Sequence, residues 1–365
     1  MKIKTAFNLF ALLMAVMLMA SCSGEKNAYS VNSAIIPDAD LVIELLKMNA
    51  DDLTPEQQQQ QLAKFAETDP ELAAKVEKYS KLLPTEAYAG IKMLISAKLP
   101  EGLTGDLENM ESIPEPEVCL ALTSEHSLQP LVDAIVADFR DAKENSIAIT
   151  PADAINGLAA YTISSTETHD VPPCYFVVSK DGRFVLAGNK ETVEAQSVPG
   201  FKPAPKAVIA DYRKQLAKDI NGYAVIAPNA EIKEALSAQL VTYTDLVKSI
   251  TMVGISASGN SKAGTLGLQL STDDAEGAKK FHDETLIPLV TMAKFLAPQM
   301  GLTGENALPC INTLRTACSG SSISIFIDLT EADGKVLEKM LPKLSGMLEE
   351  GEEQEAEEIQ EVIEL

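Results

Sequence analysis

The sequence predicts an α+β protein of two related halves, with antiparallel sheets built from hairpins and covered on one face by amphipathic helices. Three observations carry this expectation. Apolar runs of strand length alternate along the body with stripes of helical period. Asp181-Gly182 and Gly259-Asn260-Ser261-Lys262 each separate two apolar runs, as hairpin turns do. The succession of strand, capping residue and amphipathic helix recurs on both sides of a proline-rich stretch at 198–206.

Residues 1–21 stand apart from this pattern. Lys2 and Lys4 make a short basic start, and residues 6–20 are almost continuously apolar. Such a run falls short of the roughly 20 residues a helix needs to cross a bilayer, so it reads as the core of a signal peptide. Two small residues, Ala20 and Ser21, lead directly into Cys22. Leu18-Met19-Ala20-Ser21-Cys22 resembles the lipobox of bacterial lipoproteins, with Met19 standing where leucine is usual. An ordinary secretory peptide with a cysteine just after the cut is the alternative. The resemblance implies cleavage before Cys22, acylation of its thiol and new α-amine, and a lipid anchor. Each buried CH₂ of the acyl chains contributes about 0.8 kcal/mol, so several chains hold the protein stably. Ser23 in place of aspartate implies passage to the outer membrane. Residues 22–34, small and polar, are the expected lipidated tether.

The first α+β domain is expected over 35–197. Leu41-Val42-Ile43-Glu44-Leu45-Leu46 follows the turn-like Pro37-Asp38-Ala39-Asp40 and reads as a strand. Thr54-Pro55-Glu56-Gln57 opens a helix, with Thr as cap and Gln completing a capping box. Asp69-Pro70-Glu71 opens another, with Leu72, Val76, Tyr79 and Leu83 on one stripe. Residues 87–99 read as a third helix and 103–116 as a loop. Residues 118–122 form an apolar strand. Leu128, Leu131, Val132, Ile135, Val136 and Phe139 then fall at helical spacing behind Ser124 or Ser127. Residues 147–150 and 158–164 read as strands, 174–179 and 183–187 as the arms of the Asp181-Gly182 hairpin, and a short helix starts at Lys190.

Residues 198–206 are the linker, and 207–347 the second domain. Its elements are a strand at 223–227, a cap at Asn229, and a helix or broken pair of helices over 232–246. A hairpin of 250–258 and 263–272 follows, then a long helix from Thr272 kinked at Pro288. A strand at 321–329 and a helix opened by Thr330-Glu331-Ala332-Asp333 complete it. The strands beginning at Cys119, Tyr223 and Ile323, each leading through a cap to a helix, suggest a repeated unit. This rhythm, over roughly 35–345, resembles several families of uncharacterised bacterial envelope lipoproteins built from repeated strand–hairpin–helix modules. That resemblance implies a fold and no activity. Residues 348–365 carry nine glutamates and no basic residue, an acidic solvated tail.

Composition narrows the function. With 53 Asp+Glu against 30 Lys+Arg, the formal charge of −23 opposes binding to nucleic acid or adsorption to anionic bilayers. Aromatic residues make up 5% and tryptophan is absent, which leaves little for stacking on bases or sugars. Beyond Cys22 there are four cysteines, an even number that in an exported protein points to disulfides. Cys310–Cys318 is the close pair and Cys119–Cys174 follows by elimination, contributing about 2.5 and 4 kcal/mol on the chain-entropy model. Four buried free thiols are the alternative. Zinc is disfavoured, because no Cys-x-x-Cys occurs and only His126, His169 and His282 could join a site.

No nucleophile elbow, phosphate-binding loop, dinucleotide fingerprint or zinc-protease motif is present. His169 and Asp170 near Cys174 come closest to a site, and read as an exposed loop broken by Pro172 and Pro173. His126 and His282 read as surface residues. Asp51/Asp52 and Asp273/Asp274 sit at helix starts, where the dipole favours acids. The expectation is therefore a non-catalytic, membrane-anchored envelope lipoprotein with a binding or structural role and no cofactor. Its partners would be the membrane through its lipid, and an envelope protein or apolar ligand. A periplasmic chaperone or carrier of apolar ligands is the alternative, and an enzyme the minor one.

Overall fold

A computed structural model of the chain describes residues 29–46, 74–75, 77–79, 81–82, 91–99, 117–140, 147–165, 173–201, 203–216, 219–260, 262–297, 308–333 and 336. The signal segment, Cys22, the helix openings at Thr54 and Asp69, the loop 103–116, His169, Asp170 and the acidic tail lie outside the described residues.

The strands are β1 (Leu41–Leu45), β2 (Lys92–Lys98), β3 (Glu117–Thr123), β4 (Ile147–Ile155), β5 (Leu158–Ser165), β6 (Cys174–Val178) and β7 (Phe184–Gly188) in the first half. The second half holds β8 (Ile220–Ile226), β9 (Ile250–Gly259), β10 (Ala263–Thr272), β11 (Arg315–Ser319) and β12 (Ser322–Thr330). The helices are α1 (Gln129–Asp138), α2 (Lys190–Gln196), α3 (Ala207–Gln215), α4 (Ala230–Gln239), α5 (Thr244–Ser249), α6 (Ala275–Phe281), α7 (Ile287–Leu296) and α8 (Cys310–Thr313). Among the described residues the strands form one sheet in the order β11-β12-β10-β9-β8-β1-β2-β3-β7-β6-β5-β4, with every pairing antiparallel.

The α+β class with antiparallel hairpins and packed helices is the one observed, and the strand order shows how its halves are related. On one side of the central β1–β8 pair the order is β1-β2-β3-β7-β6; on the other it is β8-β9-β10-β12-β11. Each half therefore has a first strand, an antiparallel strand pair beside it, and a last strand that returns beside that pair after an excursion. The first half adds the β4–β5 hairpin at its edge. The strands of Cys119, Tyr223 and Ile323 are not equivalents within this repeat: they are the third, first and last strands of their halves. The sheet also runs without a break past the linker, because β1 pairs with β2 on one side and with β8 on the other.

Residues 87–99 hold no helix where they are described; Lys92–Lys98 is strand β2, buried at every interior position. Met93 and Ile95 enter one core, and Leu94 packs into the core on the other side of the sheet. A central strand covered on both faces loses the polar alternation that would distinguish it from a helix. Helices cover both faces of the first half, not one. On one face Leu128, Leu131, Val132, Val136 and Phe139 of the α1 region pack with Leu120, Leu122, Phe176 and Val185. On the other, a 3-10 turn (Val31–Ala34), α2 and α3 pack with Val42, Cys119, Val177, Phe184, Leu186 and Val225. Each large side chain buried in this way stabilises the fold by about 1.5–3 kcal/mol.

Local chemistry sets the remaining elements. Gly182 adopts φ +70° in the β6–β7 turn, and Ser179 and Asp181 bridge that turn through their side chains. Asn189, Asn229 and Asp274 cap α2, α4 and α6 by accepting from the backbone N–H of Thr192, Ile232 and Gly277. The kink expected at Pro288 takes the form of a π-turn, His282–Leu286, between α6 and α7. Pro288 follows this turn closely within the continuing helix, and the wider turn accommodates its ring and missing N–H.

Candidate functional site

Two places in the molecule combine chemistry-bearing residues in ways that matter for function. The first lies at the β1–β8 seam. Glu44 of β1 stands opposite Tyr223 of β8, and both are buried. The Tyr223 hydroxyl donates to Glu44 Oε2, and Arg213 Nη2 donates to the same carboxylate oxygen at 2.8 Å. Arg213 Nη2 also donates to Asn32 Oδ1 at 2.6 Å, which ties α3 to the incoming N-terminal segment. Burial, and then the charge of Glu44 beside it, push the Tyr223 phenol well above the ordinary tyrosine range. One residue before β1, buried Asp40 accepts from Lys206 and from the backbone N–H of Leu99 at 2.8 Å. Buried carboxylates held this way need a cationic partner and further hydrogen bonds to offset desolvation, and here they have both. Both donors to Glu44, Arg213 and Tyr223, come from the second half of the chain. The arrangement is a clamp, with its acids committed to cations rather than aimed at open space.

The second place is α7. Its sequence, Ile-Pro-Leu-Val-Thr-Met-Ala-Lys-Phe-Leu, is apolar on every side except at Thr291 and Lys294, yet none of its residues is buried. Phe295 is 69% exposed, Met292 50% and Leu289 46%. A helix that is apolar all round belongs in a core, a membrane or an interface. Among the described residues its inner side is engaged: Val290 joins Phe281, Leu286, Leu270, Ile323 and Ile325 in a small core. Beside that core Ile255, Leu266 and Leu268 leave a further apolar strip of β9 and β10 open. Leu268 pairs directly with Ile255.

The residues expected as sites fall as follows. Cys22 lies outside the described residues. Cys119, Cys174, Cys310 and Cys318 are free thiols, so the pairs Cys119–Cys174 and Cys310–Cys318 are not formed in this structure. Cys119 is on β3 and Cys174 on β6, and β7 runs between them. Two strand spacings amount to about 9–10 Å, beyond the reach of a disulfide without backbone movement. Cys119 instead donates to Gln196 Oε1 at 2.9 Å. Cys310 opens α8 with its backbone N–H on Asp333, whereas Cys318 lies three residues along β11, with its thiol toward Gly320. Burial and the Asp333 side chain push the Cys310 thiol up to about 11, and burial raises Cys119 and Cys174 as well, so these are poor nucleophiles.

His282 corrects a second expectation. It is buried, not on the surface: its Nδ1 lies 2.7 Å from Asp283 Oδ1 and its Nε2 3.2 Å from Thr316 Oγ1 on β11. The π-turn lays this part of the helix against the edge strand, a tertiary effect that spacing alone does not show. His126 stands apart from His282, and its backbone N–H donates to Ser124 Oγ. The helix expected to be capped by Thr272 is capped by Asp274 instead, which accepts from the backbone N–H of Gly277. Among the described residues no three His, Cys, Asp or Glu side chains gather as a metal site would require. The expected helix from Thr272 carries no mark in the sequence that its second part, α7, lies exposed. The sequence shows only the absence of any polar face over 286–296.

No protein-family model matches the chain, and no curated protein matches it. Among solved structures it is similar to TP0453 in three crystal forms. Crystal form III is 9% identical, with 87% of this chain and 94% of that one covered and a TM-score of 0.41. Form IV is 9% identical at a TM-score of 0.42, covering 85% and 96%; form I is 8% identical at 0.41, covering 87% and 99%. Likeness at this level carries no role from one protein to the other.

Proposed function

We propose that the protein is a non-catalytic, lipid-anchored component of the bacterial cell envelope that works by binding through an apolar surface. The carrying observation is α7, apolar all round and unburied on a body whose seam acids are all partnered. Leaving such a helix in water costs free energy, which a partner recovers by covering it. The lipobox resemblance at Cys22 supports the anchor, and Ser23 supports the outer membrane as its destination. No helix among the described residues is long and apolar enough to cross a membrane.

The test is metabolic labelling with radioactive palmitate, followed by fractionation. Label enters the wild-type chain, and Cys22→Ala loses the label and leaves the membrane fraction. Equal labelling and equal sedimentation of the variant would overturn the anchored reading.

A further inference from the structure

The sheet has two ends, and the chain enters at one of them. Tyr29 stacks on Phe184, with ring centroids 4.6 Å apart, and Phe184 is the first residue of β7. The pairing registers place the start of β2, the end of β3, the β9–β10 hairpin, the end of β12 and the start of β11 at this same end. Helix α6 begins at the opposite end, where Asp273 donates its backbone N–H to Ser249. It runs along the sheet through His282, which touches Thr316 of β11, and continues as α7. Helix α7 reaches α8, which leads directly into the start of β11. Phe295 and Met292 therefore lie at the end of the sheet where the N-terminal segment enters.

Six residues lie between Cys22 and Tyr29, so even fully extended the seven steps from one to the other span at most about 25 Å. An acylated Cys22 would thus hold this end of the sheet close to the bilayer. We infer that the partner of α7 is the lipid bilayer itself, into whose interface Leu289, Met292 and Phe295 insert beside the acyl anchor; this rests on the anchored reading above. Lys294, half-buried on the same helix, can keep its ammonium at headgroup level while its stem lies among apolar groups. Among the described residues at this end, Lys92, Lys180, Arg183, Lys262 and Arg315 stand against Glu125, Asp181, Asp219, Asp328, Glu331 and Asp333, so the charges nearly balance. The rim thereby escapes the repulsion that a net charge of −23 brings elsewhere. Insertion is driven by apolar area and not by charge, so it proceeds on zwitterionic lipid.

The chain has no tryptophan, so one can be placed as a unique reporter. Full-length, lipidated Phe295→Trp is reconstituted with phosphatidylcholine vesicles, with and without bromine on the acyl chains. Val118→Trp, exposed near the far end of β3, is the control. We expect the emission of Phe295→Trp to shift to the blue and to be largely quenched by the brominated lipid, while Val118→Trp stays unchanged. Equal emission from both variants overturns the inference. Mass analysis of the N-terminal peptide reports acylation at Cys22 separately. An acylated chain with an unquenched Phe295→Trp defeats the bilayer as partner and leaves the anchored reading standing; an unacylated chain defeats the anchor. If Phe295→Trp is still quenched in unacylated Cys22→Ser, the helix reaches lipid by itself.

Discussion

At the scale of single residues, the seam shows why a buried charge persists here. Glu44 is nearly sealed from water, and it receives Arg213 and Tyr223 on one oxygen while Arg213 also reaches Asn32. Removing the carboxylate leaves Arg213 without its counter-charge in a half-buried site. Removing only the Tyr223 hydroxyl leaves the ion pair intact. Glu44→Ala should therefore lower the unfolding free energy by about 3–5 kcal/mol, and Tyr223→Phe by only about 1 kcal/mol. Urea denaturation followed by circular dichroism measures both. Comparable losses for the two variants would show that the ion pair does not hold the seam.

At the scale of elements, close packing asks for specific side chains at places the sequence does not mark. Gly254 in β9 is one. A Cβ built there would lie 2.5 Å from the ring of Tyr212, whose helix α3 crosses the sheet at that point. Gly254→Ala should cost about 1–3 kcal/mol through displacement of that ring, read as a lower melting temperature. An unchanged melting temperature would mean that the ring moves freely. The same scale explains which elements were legible. Asp181-Gly182 announces its hairpin because only a few residue types accept positive φ, and α1 announces itself because one face alone is apolar. Strand β2 looked helical because both of its faces are buried. Strand β11 was missed because Arg315-Thr316-Ala317-Cys318-Ser319 is short, at the edge and weakly apolar. The exposed helix α7 was legible as apolar but not as exposed, since exposure depends on what the rest of the fold leaves uncovered.

At the scale of the whole molecule, the two halves share a strand pair instead of meeting through a linker. Strand β1 belongs in sequence to the first half, yet it satisfies the backbone of β8 along Leu41 to Leu45, opposite Ile226 to Gly222. Val42 is fully buried opposite Val225 in the core that the two halves hold in common. Without β1, β8 would become an open edge carrying Tyr223 and Val225, the kind of edge that seeks another strand. Damage to β1 should therefore be felt in both halves. A charge at its fully buried second residue, Val42→Asp, places an unpaired carboxylate in the shared core and should destabilise both neighbours together. Hydrogen-exchange mass spectrometry reads the outcome peptide by peptide. In Val42→Asp, protection should fall in β2 and β3 and, to a similar degree, in β8 and β9, which lie on the other side of the linker in sequence. If β8 and β9 keep their wild-type protection while β2 and β3 lose theirs, the halves fold as independent domains, and the continuity of the sheet contributes little to their stability.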